Sequence, residues 1–128
     1  MDDPTATGQS REKSISVELA AEFMSGDLTE FERDASTVLI SLGPGEVTTY
    51  GEVAEDAGHP GAARAVGSLL RRAPAGVFPW WRVVNATGRM FPGAVGRQAE
   101  LLRDEGVAVD GDPPRMLGRP RSHVRELL

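Results

Sequence analysis

The residues best suited to chemistry lie in one short stretch, where two adjacent tryptophans precede an arginine. Trp80 and Trp81 are the two tryptophans of the 128-residue chain, and Arg82 follows them directly. An indole offers a flat face on which a nucleic-acid base can stack, and Arg82 can either contact an anion or bridge buried carbonyls. Neighbouring side chains of an extended segment point to opposite sides, so at least one indole is expected to face a pocket or the surface. The alternative is that both indoles are core residues.

The absence of cysteine removes several classes of chemistry. With no cysteine in the sequence, the chain has no disulfide, no thiolate metal site and no cysteine nucleophile. The two histidines, His59 and His123, lie far apart and have no acidic companion at ligand spacing. We therefore expect neither a metal site nor a cofactor.

The arginines concentrate in the middle of a chain that is acidic overall. The formal net charge is −5, yet residues 58–103 contain seven arginines and one glutamate. Residues 1–57 contain 13 acidic and 3 basic residues, and residues 104–128 contain 5 and 4. This distribution predicts a contact surface for a polyanion, with an acidic remainder that limits indiscriminate binding. The alternative is a face of solvated arginines.

Length and composition indicate one soluble domain. A chain of 128 residues supports a single core, and 40% hydrophobic with 26% charged residues is the balance of a globular protein. No run approaches ~18 apolar residues, and the start Met1-Asp2-Asp3-Pro4 is acidic, unlike a signal peptide. We expect a monomer that contacts no membrane and is cytoplasmic, or nucleoid-associated if bacterial.

Apolar periodicity and capping signals predict five helices around the tryptophan stretch. The first covers 16–24, and the second begins at the capping-box pair Thr29 and Glu32 and ends before Gly43-Pro44. The last covers about 95–105, and a short strand follows at 107–109. Residues 1–14 are too polar to bury a core and form a predicted disordered tail. Residues 111–128 form a predicted C-terminal extension.

The third and fourth helices form a helix-turn-helix pattern. The pair Thr49 and Glu52 opens the third helix, Gly58 ends it, and Pro60 occupies the first turn of the fourth helix at about 61–72. Arginines and small residues share the face of the fourth helix that we expect to be exposed, which permits close approach to a phosphate backbone or a groove. That face carries Arg64, Gly67, Ser68, Arg71 and Arg72, and Ala62, Ala63 and Gly67 leave room for the approach.

Together these segments resemble the DNA-binding domain of the O6-alkylguanine-DNA alkyltransferases over about residues 30–109. The matching segments are Gly45–Ala54, Ala62–Gly67, Pro79 with Arg82-Val83-Val84, Gly88, and Leu101-Leu102 through Glu105-Gly106. The resemblance implies a mainly α, winged helix-turn-helix-like domain of the methylated-DNA-protein cysteine methyltransferase type, which we place at residues 15–110. It also implies that the fourth helix enters the minor groove.

The sequence departs from that family at the active site. The family carries Pro-Cys-His-Arg, in which the cysteine accepts the alkyl group and the histidine helps to ionise it, whereas this chain carries Pro79-Trp80-Trp81-Arg82. The family's Asn-Pro appears here as Ala73-Pro74. Glu105 stands where the family has the carboxylate that supports the histidine, so we expect it to have nothing to orient and to play a structural role. The chain is therefore not expected to be an enzyme.

Tryptophan in place of the nucleophile is similar to the pattern of the alkyltransferase-like proteins, which bind alkylated DNA without repairing it. These relatives commonly keep the histidine, so Trp81 departs from their pattern and is expected to narrow or reshape the pocket. The resemblance implies that Arg64 inserts into the base stack while Tyr50 presses on the adjacent phosphate. The expected DNA contacts are Tyr50, Ala62, Ala63, Arg64, Gly67, Ser68 and Arg71. The expected base pocket consists of Leu70, Trp80, Trp81, Arg82 and Val83, with main-chain groups of residues 86–94 as hydrogen-bond partners.

The implied function is recognition of O6-alkylguanine in double-stranded DNA by nucleotide flipping into an apolar pocket. The complex would flag the lesion for another pathway such as nucleotide excision repair, whose proteins are the expected partners. One alternative is a winged-helix-like regulator that reads ordinary duplex DNA. A second alternative is a protein-interaction module whose arginine segment binds an acidic partner.

Overall fold

Helices make up most of the structure, a computed structural model that describes residues 15–111 and 113–117. The helices in this part of the chain are α1 (Val17–Met24), α2 (Glu30–Ile40), α3 (Tyr50–Asp56), α4 (Ala63–Arg72) and α5 (Val95–Asp104). The strands are β1 (Thr48–Thr49), β2 (Val83–Val84), β3 (Val109–Asp110) and β4 (Arg115–Met116), and a 3-10 turn at Trp80–Arg82 precedes β2. The predicted mainly α class and the five predicted helices are confirmed. The position predicted for Pro60 is wrong, because α4 begins at Ala63 and Pro60 lies in the preceding turn. The predicted tail at 1–14 lies outside the described residues.

Side-chain caps determine where α2 and α3 begin. The Thr29 hydroxyl accepts a hydrogen bond from the Glu32 N–H at 3.1 Å, and the Glu32 carboxylate accepts one from the Thr29 N–H at 2.8 Å, which completes the predicted capping box. The Thr49 hydroxyl accepts from the Glu52 N–H at 3.1 Å. Because β1 leads directly into this cap, Tyr50 becomes the first residue of α3.

Two apolar clusters form the core, and Trp80 packs against both. The first surrounds α2, α3 and α4, and the second lies between the 3-10 turn, β2 and α5. The strands β1 and β2 pair in parallel, with Thr48 opposite Val83 and Thr49 opposite Val84. This pairing places the segment that follows the 3-10 turn beside the segment that leads into Tyr50.

His59 links the turn between α3 and α4 to α2 through side-chain contacts. His59 Nε2 lies 2.9 Å from Asp34 Oδ2, and its ring meets Phe31 edge to face with centroids 5.2 Å apart. The His59 backbone donates to the Ala54 carbonyl and accepts from the Ala62 N–H. Sequence spacing did not indicate this pair, because Asp34 lies 25 residues before His59.

The β3–β4 hairpin closes against the loop that precedes α5. It pairs Val109 with Met116, and the Met116 N–H donates to the Gly88 carbonyl at 2.8 Å. Gly88 has a φ of +86°, and a Cβ there would lie 2.5 Å from the Met116 carbonyl oxygen. This approach therefore requires glycine. The strand predicted at 107–109 is observed at 109–110, and the domain boundary at residue 110 stays a prediction.

None of the helices in residues 15–111 has the length and apolarity needed to span a bilayer.

Candidate nucleic-acid interface

The exposed side of α4 presents an arginine near its start. Arg64 is exposed, and no hydrogen-bond or ion-pair partner for it lies among the described residues. Ala62 and Ala63 beside it are half-buried. Ser68 is exposed one turn further along and accepts a hydrogen bond from Arg71 Nη2 at 3.3 Å. The fold thus leaves the Arg64 guanidinium available to an external ligand.

Gly67 is buried, although the sequence pattern placed it on the exposed face. A Cβ on Gly67 would lie 3.6 Å from Arg71 Nη1 and 4.0 Å from Tyr50 Cε1. The expectation that Gly67 lies on the open face of the helix is therefore wrong, because the side chains of Tyr50 and Arg71 close over it. Tyr50 and Arg71 themselves form the outer layer at this position.

Tyr50 stays neutral at physiological pH. Burial raises the pKa of its phenol above the ordinary value of 10.0, an effect that the charge of Arg71 partly offsets. A protonated phenol can donate a hydrogen bond to a phosphate oxygen. The packing of Tyr50 against α4 holds this donor at the junction of β1, α3 and α4.

Several arginines of residues 58–103 are not available to an external anion. Arg82 is buried and pairs with Glu105, while Arg72 pairs with Glu32 and Arg97 with Glu100. The net charge of residues 58–103 counted from the sequence is therefore larger than the positive charge that the surface offers to an external anion. Arg64, Arg71, Arg89 and Arg103 remain exposed and have no ion pair among the described residues, although Arg103 Nη2 donates to the Val109 carbonyl.

The two indoles occupy different environments. Trp81 is 1% exposed, whereas Trp80 is half-buried, and their rings meet edge to face with centroids 6.1 Å apart. The 3-10 conformation of residues 80–82 directs the two side chains apart. Phe91 contacts Trp80 edge to face at 5.9 Å. Trp80 is thus the indole that a ligand can reach, and the core interpretation is correct for Trp81.

Glu105 joins three separate segments of the chain. Its carboxylate accepts hydrogen bonds from the Gly45 N–H at 2.9 Å, the Trp81 indole N–H at 2.9 Å and Arg82 Nη2 at 2.7 Å. The expectation that Glu105 has nothing to orient is therefore wrong, because the Trp81 indole supplies a donor to it. Burial raises the pKa of Glu105, but hydrogen bonds from Arg82, Gly45 and Trp81 outweigh it, so the pKa lies below its ordinary value.

Arg82 completes this network from the opposite side. Its Nη1 donates to the Leu42 carbonyl at 2.8 Å, and its guanidinium carbon lies 5.0 Å from the centroid of the Trp81 ring. With 6% of its surface exposed, Arg82 bridges buried groups and does not line an open pocket. Of the two roles that the sequence left open for Arg82, the bridging role is the observed one.

Gln98 is an important residue that sequence reasoning missed. It is completely buried, and its Nε2 donates to the carbonyls of Trp81 at 3.1 Å and Val83 at 2.9 Å. Its Oε1 accepts from the Phe91 N–H at 2.5 Å. A signal for it existed, because Gln98 lies on the apolar stripe of α5 at the position between Val95 and Ala99. A polar residue at such a position predicts a buried hydrogen-bonding role.

The remaining residues of the predicted pocket lie behind Trp80. Leu70 is 7% exposed and Val83 is fully buried, and both belong to the cluster against which Trp80 packs. A separate groove of about 510 Å³ lies between the loop after β2 and the β3–β4 hairpin. It is lined by Arg89, Met90, Pro92, Val95, Gly111, Pro113, Pro114 and Arg115. None of these is among the five predicted side chains of the base pocket, although the first three lie in the 86–94 segment.

The loop before α5 uses several of its main-chain donors internally. The Asn85 side-chain oxygen accepts from the N–H groups of Thr87 and Arg89 at 2.9 and 2.8 Å. The Phe91 N–H donates to Gln98. These three amides are therefore not free to bind a base in this conformation, whereas the expectation for the other main-chain groups of residues 86–94 stays a prediction.

In residues 15–111 and 113–117, no cluster of three or more histidine, aspartate and glutamate side chains has the arrangement of a metal site.

Known proteins resemble this chain in both sequence and structure. A DNA base-flipping protein of Escherichia coli strain K12 is 47% identical over 77 residues, which are 58% of this chain and 60% of that protein. A methylated-DNA–protein-cysteine methyltransferase of Mycobacterium leprae is 40% identical over 80 residues, which are 60% of this chain and 48% of that protein. The chain thus matches between about half and three fifths of the length of these relatives.

Solved structures extend the likeness to the fold. The crystal structure of S. pombe Atl1 in complex with damaged DNA containing O6-carboxymethylguanine has a TM-score of 0.61 and 27% identity, and covers 75% of this chain and 93% of Atl1. Mycobacterium tuberculosis OGT in complex with DNA has a TM-score of 0.53 and 37% identity over 62% of this chain and 51% of that protein. These matches confirm the predicted fold class.

The family model of the 6-O-methylguanine DNA methyltransferase DNA-binding domain matches residues 30–107. This range contains the helix pair, the 3-10 turn with both indoles, and the carboxylate of Glu105. The chain therefore belongs to the family of 6-O-methylguanine DNA methyltransferase DNA-binding domains, as an alkyltransferase-like member.

Proposed function

We propose that this chain recognises O6-alkylguanine in double-stranded DNA, extrudes the damaged nucleotide and holds its base against Trp80 without transferring the alkyl group. The observation that carries this proposal is the turn Pro79–Arg82, which presents a half-buried indole in a chain without cysteine. Stacking on an indole contributes ~1–3 kcal/mol per base. The indole has no lone pair suited to accept an alkyl group, so binding is not followed by reaction.

Two residues of the helix pair suit the extrusion step. Arg64 is exposed without a partner in the described part of the chain, so its guanidinium can fill the gap that an extruded nucleotide leaves. The neutral Tyr50 hydroxyl can bind the adjacent phosphate and turn it outward. Extrusion costs a few kcal/mol, and less where alkylation has already weakened the base pair. The free-energy cost of extrusion is therefore lower at a damaged site than at an undamaged one.

The names of the relatives support this proposal. The Escherichia coli relative is called a DNA base-flipping protein, and the S. pombe Atl1 structure contains damaged DNA with O6-carboxymethylguanine. We infer that the present chain forms a comparable complex as a monomer. Because no chemical step ends the complex, it persists and flags the lesion for a second system such as nucleotide excision repair.

A paired-duplex comparison tests the proposal. Two duplexes of identical sequence, one with a single O6-methylguanine, are titrated with the protein at the same salt concentration, because affinity for DNA depends strongly on salt. We expect tighter binding to the modified duplex. Equal affinity would favour a regulator of ordinary DNA, and absence of binding to either duplex would favour a protein-interaction module.

A second experiment tests the absence of alkyl transfer. The protein is incubated with a duplex that carries a labelled O6-alkyl group, and the two macromolecules are then separated under denaturing conditions. We expect all of the label to stay on the DNA. Covalent label on the protein would contradict the non-enzymatic assignment.

A further inference from the structure

The groove between the loop after β2 and the β3–β4 hairpin has the size and lining of a ligand site. Its volume of about 510 Å³ falls within the usual range of about 300–1,000 Å³. Its base is apolar, since Met90 is buried and Val95 is half-buried. Pro92, Pro113 and Pro114 line the more exposed part. Because proline has almost no side-chain entropy to lose, this surface is ordered before a ligand arrives.

Two arginines of this groove lie opposite each other across a strand pairing. Arg89 and Arg115 form an antiparallel bridge, in which directly opposite side chains have Cβ atoms about 4.5–5.5 Å apart. Both are exposed, and neither side chain has a hydrogen bond or ion pair among the described residues. Like charges at directly opposite positions destabilise a pairing. The free protein therefore carries an unfavourable contact that a bound anion would relieve.

The acidic residue of the hairpin does not neutralise these arginines. Asp110 is the partner of Arg115 in the β3–β4 ladder, yet within the described residues the two side chains form no ion pair. A carboxylate from outside can instead lie between the two guanidinium groups and accept hydrogen bonds from both. Two positive charges beside an apolar base therefore suit a ligand that is both acidic and apolar.

An acidic peptide suits this surface better than the backbone of DNA does. A phosphate backbone offers little apolar surface to Met90 and Val95, whereas a peptide can place an aliphatic side chain there and its carboxylates on the arginines. Met90 and Val95 belong to the second apolar cluster, while α4 packs on the first. None of the residues expected to contact DNA lines the groove.

We propose that this groove is a docking surface for an acidic, apolar segment of a partner protein, whose carboxylates bind Arg89 and Arg115. The inference goes beyond the proposed function, because this docking requires neither DNA nor a lesion. It gives a long-lived complex a surface that a second protein can bind while α4 is on the duplex.

A labelled peptide tests the docking. The probe is a short fluorescein-labelled peptide that alternates glutamate and leucine, and fluorescence anisotropy measures its binding. We expect the same peptide with glutamine in place of glutamate to bind at least about tenfold more weakly, because it lacks the charge-assisted hydrogen bonds. A peptide that alternates glutamate and serine is also expected to bind more weakly, since it leaves the apolar base uncovered.

Substitution of the two arginines separates a docking role from a structural one. Arg89→Gln and Arg115→Gln are each expected to weaken binding of the acidic peptide by about tenfold. Thermal denaturation of both free variants is expected to show unchanged or higher stability, because the opposition of like charges is removed. A residue that only supports the hairpin would instead lower the stability when it is replaced.

Arg33→Gln is the matched control, since Arg33 is exposed on α2 and does not line the groove. We expect this control to keep the peptide affinity of the wild type. An equal loss in Arg33→Gln and the two groove variants would overturn the inference, because the peptide would then respond only to the total charge.

Duplex DNA provides the remaining outcomes. We expect both groove variants to bind O6-methylguanine and unmodified duplexes as the wild type does, and a saturating duplex to leave peptide affinity unchanged. Loss of duplex affinity in the variants, or displacement of the peptide by the duplex, would show a DNA contact and overturn the inference. Equal binding of the glutamate and glutamine peptides, or binding of neither, would overturn it as well. The preference for O6-methylguanine is measured separately, so the proposed function would stand in each of these cases.

Discussion

The carboxylate of Glu105 illustrates how single residues support the site. Its side chain is 3% exposed and pairs with Arg82, whose side chain is 8% exposed. Loss of one partner from a buried ion pair leaves the other charge without compensation and costs about 3–5 kcal/mol. Glu105 also holds the Trp81 indole, so its loss affects both the stability and the geometry of the turn that presents Trp80.

Glu105→Gln is predicted to lower the free energy of unfolding at pH 7 by about 3 kcal/mol, because Arg82 would remain buried without an anion. Urea denaturation measures this loss. Glu100→Gln is the matched control, because Glu100 pairs with Arg97 on the surface, where such a pair contributes about 0–1 kcal/mol. Equal losses in the two variants would contradict the structural role of Glu105.

The depressed pKa of Glu105 also predicts a dependence of stability on pH. The folded state holds the charged form more strongly than the unfolded state, where the pKa is near 4.5. Its contribution is therefore complete above that value and is lost as the pH falls through the lower folded pKa. We expect wild-type stability to fall more steeply than that of Glu105→Gln between about pH 5 and pH 3. Parallel denaturation curves across this range would refute the prediction.

Arg64 is the residue on which DNA binding should depend most. Arg64→Ala is predicted to weaken binding to O6-methylguanine duplex by at least about tenfold, because the gap in the base stack would remain unfilled. Arg33→Ala is the control, since Arg33 is also exposed but donates to the Met24 carbonyl on the acidic part of the chain. Fluorescence anisotropy of labelled duplex measures both. Similar affinities for the two variants would exclude the insertion role of Arg64.

At the scale of elements, local signals in the sequence were sufficient to predict the helices. The capping pairs at Thr29 and Thr49 each join residues three positions apart, so the sequence alone could predict where these two helices begin. The contacts of the site are different, because Glu105 binds Gly45 across 60 residues and Gln98 binds Trp81 across 17. Periodicity carries no information about such pairs. The 3-10 turn, which separates the two indoles, was likewise not predicted.

Gly67 in α4 provides a prediction about the helix pair. The space above it accepts a methyl group at ordinary contact distances from Arg71 and Tyr50. Alanine also favours a helix over glycine by about 0.5–1 kcal/mol. We therefore expect Gly67→Ala to raise the free energy of unfolding by up to that amount.

Gly96→Ala in α5 is the comparison for this prediction, because no atom lies within 4 Å of its Cβ position. Thermal denaturation is expected to show a similar gain for both variants. A loss of stability in Gly67→Ala alone would show that Tyr50 and Arg71 leave less room than the structure indicates.

At the scale of the whole molecule, opposite charges are separated along the chain. The sequence count of +6 for residues 58–103 is reduced by the ion pairs of Arg72, Arg82 and Arg97. A small number of phosphate contacts is therefore expected. The overall charge of −5 opposes non-specific binding to DNA.

This reduced charge predicts a shallow dependence of DNA affinity on salt. If Arg64 and Arg71 each neutralise one phosphate, replacement of either by alanine lowers the slope of log affinity against log salt by about 0.9. Arg72→Ala should leave the slope unchanged, because Arg72 pairs with Glu32. Titrations at several salt concentrations measure these slopes. A large decrease in Arg72→Ala would contradict the assignment.

The bond between Glu105 and Gly45 has a mechanical consequence. Gly45 lies five residues before Tyr50, and the same carboxylate holds the turn that carries Trp80. One buried anion therefore couples the segment that, in the proposed function, would push on the phosphate to the surface that would receive the base. We expect these parts to move as a rigid body, so that the bending and unstacking needed for recognition fall on the duplex.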